Sequence, residues 1–186
     1  MNSKKIAIAS VAKPQVIRCS MVKIREITDE SEMEQSICVI REAFSTVAQE
    51  FDLTQESAPT HPFFSTREQL IELHKKAAFF GLYVDETQTG FVAVEKAEGG
   101  TFFFGRLAVI PQLRHHGYGA MLVRFVLEYV KKQGGVKIGL GMIDGHTVLK
   151  EWYKSLGFVQ TGTKKFERLP FLVCFMEKDV SAEQIN

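Results

Sequence analysis

A chain of 186 residues, 45% hydrophobic and 24% charged, can bury one sizeable core, and a single domain is the expectation. Twenty-three Lys and Arg against 22 Asp and Glu leave a net charge of +1, which points neither to a nucleic acid nor to an anionic membrane as partner. Cys19, Cys38 and Cys174 are widely spaced and odd in number, which argues against a disulfide framework or structural zinc and for a reducing cytoplasm, and no apolar run approaches the roughly 20 residues that span a bilayer.

Lys4 and Lys5 before the apolar stretch Ile6 to Ala12 imitate a secretory signal, but Lys13, Pro14, Gln15 and Arg18 follow with no small-residue cleavage site. Residues 1–20 therefore read as an appended, disordered leader or an upstream start, ahead of a domain over 21–180 and a short tail at 181–186. Val22 to Ile27 alternates apolar and charged residues, the pattern of a half-buried strand. Asp29 offers a cap, and Met33, Ile37, Ile40, Phe44 and Val47 then recur at helical spacing, predicting a helix over 29–50.

Pro59 and Pro62 mark residues 51–65 as a loop, one that also holds His61, Phe63 and Phe64. Thr66 and Gln69 form a capping box before a shorter helix ending near Ala78, on which His74 reads as part of a solvated face. Phe79 to Val84, Gly90 to Val94 and Thr101 to Val109 are strands, most simply an antiparallel run. Within the third, alternation sends Phe103 to the face opposite Phe102 and Phe104, so the three rings are expected to fill both faces of a covered sheet.

After Pro111, the segment Arg114 to Gly119 opens a helix with Met121, Leu122, Phe125, Val126 and Tyr129 on one face, ending at Gly134 and Gly135. A strand over 136–142 follows, and Asp144 is the expected cap of a helix carrying Val148, Leu149, Trp152, Tyr153 and Leu156. Strands over 158–163 and 171–177 close the chain. The order βααβββαβαββ, mostly antiparallel with one parallel step across the helix after Gly119, is a mixed α/β (α+β) sheet rather than a doubly wound or (β/α)₈ fold.

Chemistry concentrates at the strand-to-helix turn. The first turn of a helix carries unpaired N–H groups and the positive end of the macrodipole, so it suits phosphate oxygens. Gly117 and Gly119 let a ligand approach the backbone, Arg114 adds a cation, and His115 and His116 can supply hydrogen bonds. Leu122 stands where a dinucleotide fingerprint has its third small residue, and the Gly-Lys-Ser/Thr of a P-loop is absent. No carboxylate or cysteine has ligand spacing with the histidines, so no metal is expected.

Arg114, Gly117 and Gly119 match the Arg/Gln-x-x-Gly-x-Gly/Ala loop of the GNAT superfamily of N-acetyltransferases, Leu107, Ala108, Val109 and Pro111 resemble its fourth strand, and Tyr153, Leu156, Gly157 and Phe158 resemble its Tyr-x-x-Leu-Gly-Phe. The resemblance covers residues 22–178. It implies the GNAT acyl-CoA N-acyltransferase fold, with fourth and fifth strands that splay and admit the pantetheine arm of acetyl-CoA as an extra strand along Leu107, Ala108 and Val109. The pyrophosphate then falls to Arg114, His115, His116, Gly117, Tyr118, Gly119 and Ala120. Tyr153 matches the family's general acid, which protonates the departing thiolate, while a backbone N–H near Val109 steadies the oxyanion.

Two positions depart from the family pattern. Thr101 to Arg106 lack the glutamate many members carry, so a water chain or another residue must act as base. His146 stands where many members have asparagine, and base, cofactor contact and surface helix residue all remain open for it. The loop with His61 and Phe63 borders the acceptor site in the family, against the alternative that His61 is solvated or held by backbone. Phe171, in a turn with Phe166, Leu169 and Pro170, walls either the acceptor pocket or a homodimer contact. The implied activity is transfer of acetyl from acetyl-CoA to a small-molecule or peptide amine, with a non-catalytic acyl-CoA-binding module as the alternative.

Overall fold

The computed structural model describes residues 20–181; the expected leader and tail lie outside them except for Ser20 and Ser181. Seven strands and four helices run in the expected order: β1 (Val22–Glu26), α1 (Met33–Glu50), α2 (Arg67–His74), β2 (Ala77–Val84), β3 (Thr87–Lys96), β4 (Thr101–Val109), α3 (Tyr118–Lys132), β5 (Lys137–Ile143), α4 (Thr147–Ser155), β6 (Val159–Lys165) and β7 (Leu172–Asp179). They form one sheet ordered β1-β2-β3-β4-β5-β7-β6. Every neighbouring pair is antiparallel except β4 and β5. Among the described residues no helix is long and apolar enough to cross a membrane.

Strand alternation divides the core between the two faces of the sheet. One face carries Phe80, Leu82, Val92, Val94, Phe102 and Phe104 against α3 and α4; the other carries Phe79, Phe91, Ala93 and Ala108 against α1 and α2. The apolar stripes of α1 and α3 supply Ile37, Ile40 and Ala43 to one side and Leu122, Val126 and Val130 to the other. Fully burying side chains of this size contributes roughly 1.5–3 kcal/mol each, the main force holding helices to sheet.

Several element ends differ from the pattern reading. Asp29 does cap, its carboxylate accepting from Ser31 N–H at 2.8 Å, but it caps a 3-10 turn over Glu30–Glu32, and the α-helix starts at Met33. Ala77 and Ala78, which fit a helix or a strand equally well, are captured by β3 through pairing with Glu95 and Val94, so α2 stops at His74. His74 is half-buried, its ring centroid 4.8 Å from that of Phe79, and is not on a solvated face. Phe103 is 44% exposed and lies across Gly139, where an added Cβ would meet the ring at 2.8 Å; only Phe102 and Phe104 enter the core.

Candidate active site

β4 and β5 pair through only three positions, Thr101 with Lys137, Phe102 with Ile138 and Phe103 with Gly139, then part company. β5 stays in register with β7 to Ile143, while β4 follows β3 to Val109. A bulge sharpens the divergence: Gly105 faces Ala93 and Ala108 faces Phe91, so Arg106 and Leu107 share the one position opposite Val92. Arg106 takes φ 51°, a left-handed conformation costing a non-glycine residue on the order of 1 kcal/mol. Beyond Phe103, the β5-side edge of β4 has no strand partner. A cavity of about 740 Å³ opens into this gap.

One end of the cavity is the turn into α3. Gly117 is the cap residue at φ 84°, its carbonyl accepting from Met121 N–H at 3.0 Å, and no side chain caps the helix. The first-turn N–H groups of Gly119 and Ala120 are thus left for a ligand, beside the positive helix end. His115, at φ 64°, lines the cavity with Gly117, Tyr118, Gly119 and Ala120. A Cβ at Gly119 would meet Trp152 at 3.4 Å, ordinary contact distance, so α3 and α4 pass close to each other at this end.

Arg114 also lines the cavity, but its guanidinium is turned toward α1, donating to Ala43 O at 2.5 Å, Thr46 Oγ1 at 3.1 Å and, at 3.4 Å, to Val109 O. His116 Nδ1 donates to Arg114 O at 2.8 Å and its ring stacks on Tyr118, outside the lining.

Tyr153 stands on α4 and lines the cavity, 5% exposed and packed against Phe104, Phe158 and Trp152. Its hydroxyl makes no hydrogen bond among the described residues, and burial pushes its pKa up, so the proton stays on at any working pH. His146, not Asp144, caps α4: its Nδ1 accepts from Leu149 N–H at 3.4 Å. Asp144 instead accepts from Lys150 Nζ at 2.5 Å, an ion pair that outcompetes the cap. The other ring nitrogen of His146 lies 3.9 Å from Glu50 Oε2, and both residues line the cavity.

The opposite wall is built from α1 and two loops. His61 is 8% exposed, its Nδ1 accepting from Phe63 N–H at 3.4 Å and its ring set edge-on to Phe44. Desolvation pushes its pKa down to about 4, so it is neutral at pH 7. Arg41 ties this loop to α1 by donating to Ser65 O at 2.9 Å and 2.6 Å. Leu169 and Phe171 reach the cavity from the β6–β7 turn. Phe63 packs beside it, with Ala48, Leu53, Ala58 and Ile143, and does not line it.

The structure thus brings Tyr153, Leu107, Val109, Arg114, His115, Gly117, Tyr118, Gly119, Ala120, His146, His61 and Phe171 to one cavity. Ala108 is 1% exposed and turned into the core under α1, leaving only its strand position beside the gap. Pattern reading passed over Arg106 and Glu50. Glu50 ends an amphipathic helix, where a carboxylate signals nothing, and Arg106 owes its place to a bulge that no local pattern announces.

The fold agrees with what comparison with known proteins finds. The model of the acetyltransferase (GNAT) family matches residues 41–158, more than half of the chain. The chain belongs to the GNAT family of acetyltransferases. Comparison with curated protein sequences gives no match. Among solved structures, the chain is similar to the PaiA N-acetyltransferase of Thermoplasma acidophilum in complex with coenzyme A, at 20% identity and TM-score 0.71 over 86% of this chain and 99% of that one. The ribosomal-protein-S18-alanine N-acetyltransferase of Escherichia coli is similar at 15% identity and TM-score 0.70, over 89% and 98%. Ard1 from Thermoplasma volcanium follows at 20% identity and TM-score 0.66, over 85% and 97%.

Proposed function

We propose that the chain is an acetyl-CoA-dependent N-acetyltransferase whose acceptor is a primary amine of a small molecule or peptide, with residues 21–180 as its domain. The observation that carries this reading is the opening of Tyr153 and the uncapped first turn of α3 onto one cavity, at the mouth of the β4–β5 gap. The phosphates of the donor lie on the amides of Gly119 and Ala120 beside His115, and its pantetheine arm runs along the free edge of β4 at Leu107 to Val109.

The neutral amine attacks the thioester carbonyl, forming the C–N bond and a tetrahedral oxyanion, which backbone N–H groups near Val109 steady. Collapse breaks the C–S bond, and Tyr153 gives its proton to the departing sulfur, a thiol with an ordinary pKa of about 8.5. Glu50 is the one carboxylate among the lining residues and takes the amine's proton, directly or through a water. His146, spanning the cap of α4 and Glu50, orients that carboxylate. Cys38 and Cys174 are free thiols, in keeping with a reducing compartment such as the cytoplasm.

Calorimetric titration of acetyl-CoA and coenzyme A, followed by thiol release against a panel of amines, tests the reading. Binding with release on some amine supports it. Binding without release across the panel favours the acyl-CoA-holding module, and absence of binding removes both.

A further inference from the structure

Arg106 has no part in the reaction as written, yet its side chain lines the same cavity from the bulge of β4. Its Nε is shut off from solvent with no hydrogen-bond partner, and the guanidinium forms no other hydrogen bond or ion pair among the described residues. Arg106 is half-buried, with only its Nε fully shut off, so its charge is partly stripped of water and has no protein partner, and an arginine cannot escape by giving up its proton. Burial pushes its pKa down without neutralising it.

No neighbour on the cavity wall relieves that charge. Glu50, the one carboxylate among the lining residues, stands by His146 at 3.9 Å, and the other arginine, Arg114, is already spent on α1. The donor's phosphates have their own place on the first turn of α3, and its pantetheine arm is uncharged. An anion that pairs with Arg106 inside the cavity then belongs to the acyl group or to the acceptor.

We propose that Arg106 is a specificity-determining residue that holds a carboxylate carried beside the reacting centre, on the acceptor as in an α-amino acid or on the acyl group as in a dicarboxylic acyl-CoA. The proposal rests on reading the cavity as an acyl-transfer site. A guanidinium offers two parallel N–H donors to a carboxylate, a geometry a lysine ammonium reproduces only in charge. Phe44, Phe104, Leu140 and Phe171 on the same cavity suit an apolar body attached to that carboxylate.

Two matched pairs of probes test it on the full-length protein. Phenylalanine and phenethylamine, which differ by the carboxylate alone, are titrated calorimetrically into protein saturated with coenzyme A; succinyl-CoA and acetyl-CoA are titrated into the free protein. The member bearing a carboxylate binds at least about tenfold more tightly in one pair, that advantage is lost in Arg106→Met, and Arg106→Lys regains part of it. The pair that discriminates names the source of the carboxylate. Equal binding within both pairs, or an advantage that survives in Arg106→Met, overturns the proposal. Thiol release on the same samples separates it from the reading it rests on: discrimination without release keeps the carboxylate site and removes the transferase, and release without discrimination does the reverse.

Discussion

Along the wall formed by β4 and the start of α3, the cavity meets free backbone beside the side chain of Arg106: a strand edge without a partner beyond Phe103, and helix amides without a side-chain cap. Across from it, α1, the His61 loop and the β6–β7 turn present rings and a carboxylate, from Phe44, His61, Phe171 and Glu50. Backbone recognition needs only small residues and the right dihedrals, so it leaves a short glycine signature. Side-chain recognition is written in residues far apart in the chain, and it is the half where members of one fold differ in acceptor. The two walls should therefore fail differently when mutated.

The largest effect is expected on α4, at Tyr153. Tyr153→Phe keeps the packing against Phe104 and Phe158 but removes the proton donor, so turnover falls by on the order of 10² or more while coenzyme A still binds, as thiol-release kinetics beside calorimetry will show. Because the phenol's pKa is raised, no loss of activity from its ionisation is expected below about pH 10.

On the wall that holds His61, its pKa near 4 against about 6.5 unfolded means the unfolded chain binds the extra proton between those values. Stability is full above pH 6.5 and falls as pH drops toward 4, by up to about 3 kcal/mol. Denaturant melts across pH 4–7 check this, and His61→Asn flattens the profile.

Arg114→Met removes the three donations that join the two walls, with an expected loss of about 2 kcal/mol, or roughly 4–8 °C in melting temperature. On the backbone wall, Gly117→Val meets open space but forces a β-branched residue to φ 84°, so coenzyme A affinity should weaken about tenfold with little change in activity per bound complex. If His61→Asn weakened coenzyme A as much as Gly117→Val does, the division between the walls would be false.

The difference between the walls also explains what could be read in advance. Helical and strand periods are enough for the element order, and the glycine turn at Gly117 and Gly119 and the Tyr153 to Gly157 segment are each legible because each signal is contained within a few residues. Ala77 and Ala78 read locally as the end of α2, because the partners that make them strand, Glu95 and Val94, lie across a hairpin. Asp144 has the residue type of a cap, but Lys150 in the first turn of α4 pairs with it, and His146 caps the helix instead. Arg106 faces the cavity only because β3 and β4 fall out of register between Phe91 and Ala93, a long-range fact with no local mark.

Arg114 fastens the end of β4 and the turn into α3 to the middle of α1 through Val109, Ala43 and Thr46. On the reading proposed above, a donor on the α3 turn would bear, through Arg114, on the helix that walls the acceptor side of the cavity. The kinetic signature is a compulsory sequence of addition: initial-rate patterns should show the thioester entering first and the acceptor's apparent affinity rising with donor occupancy.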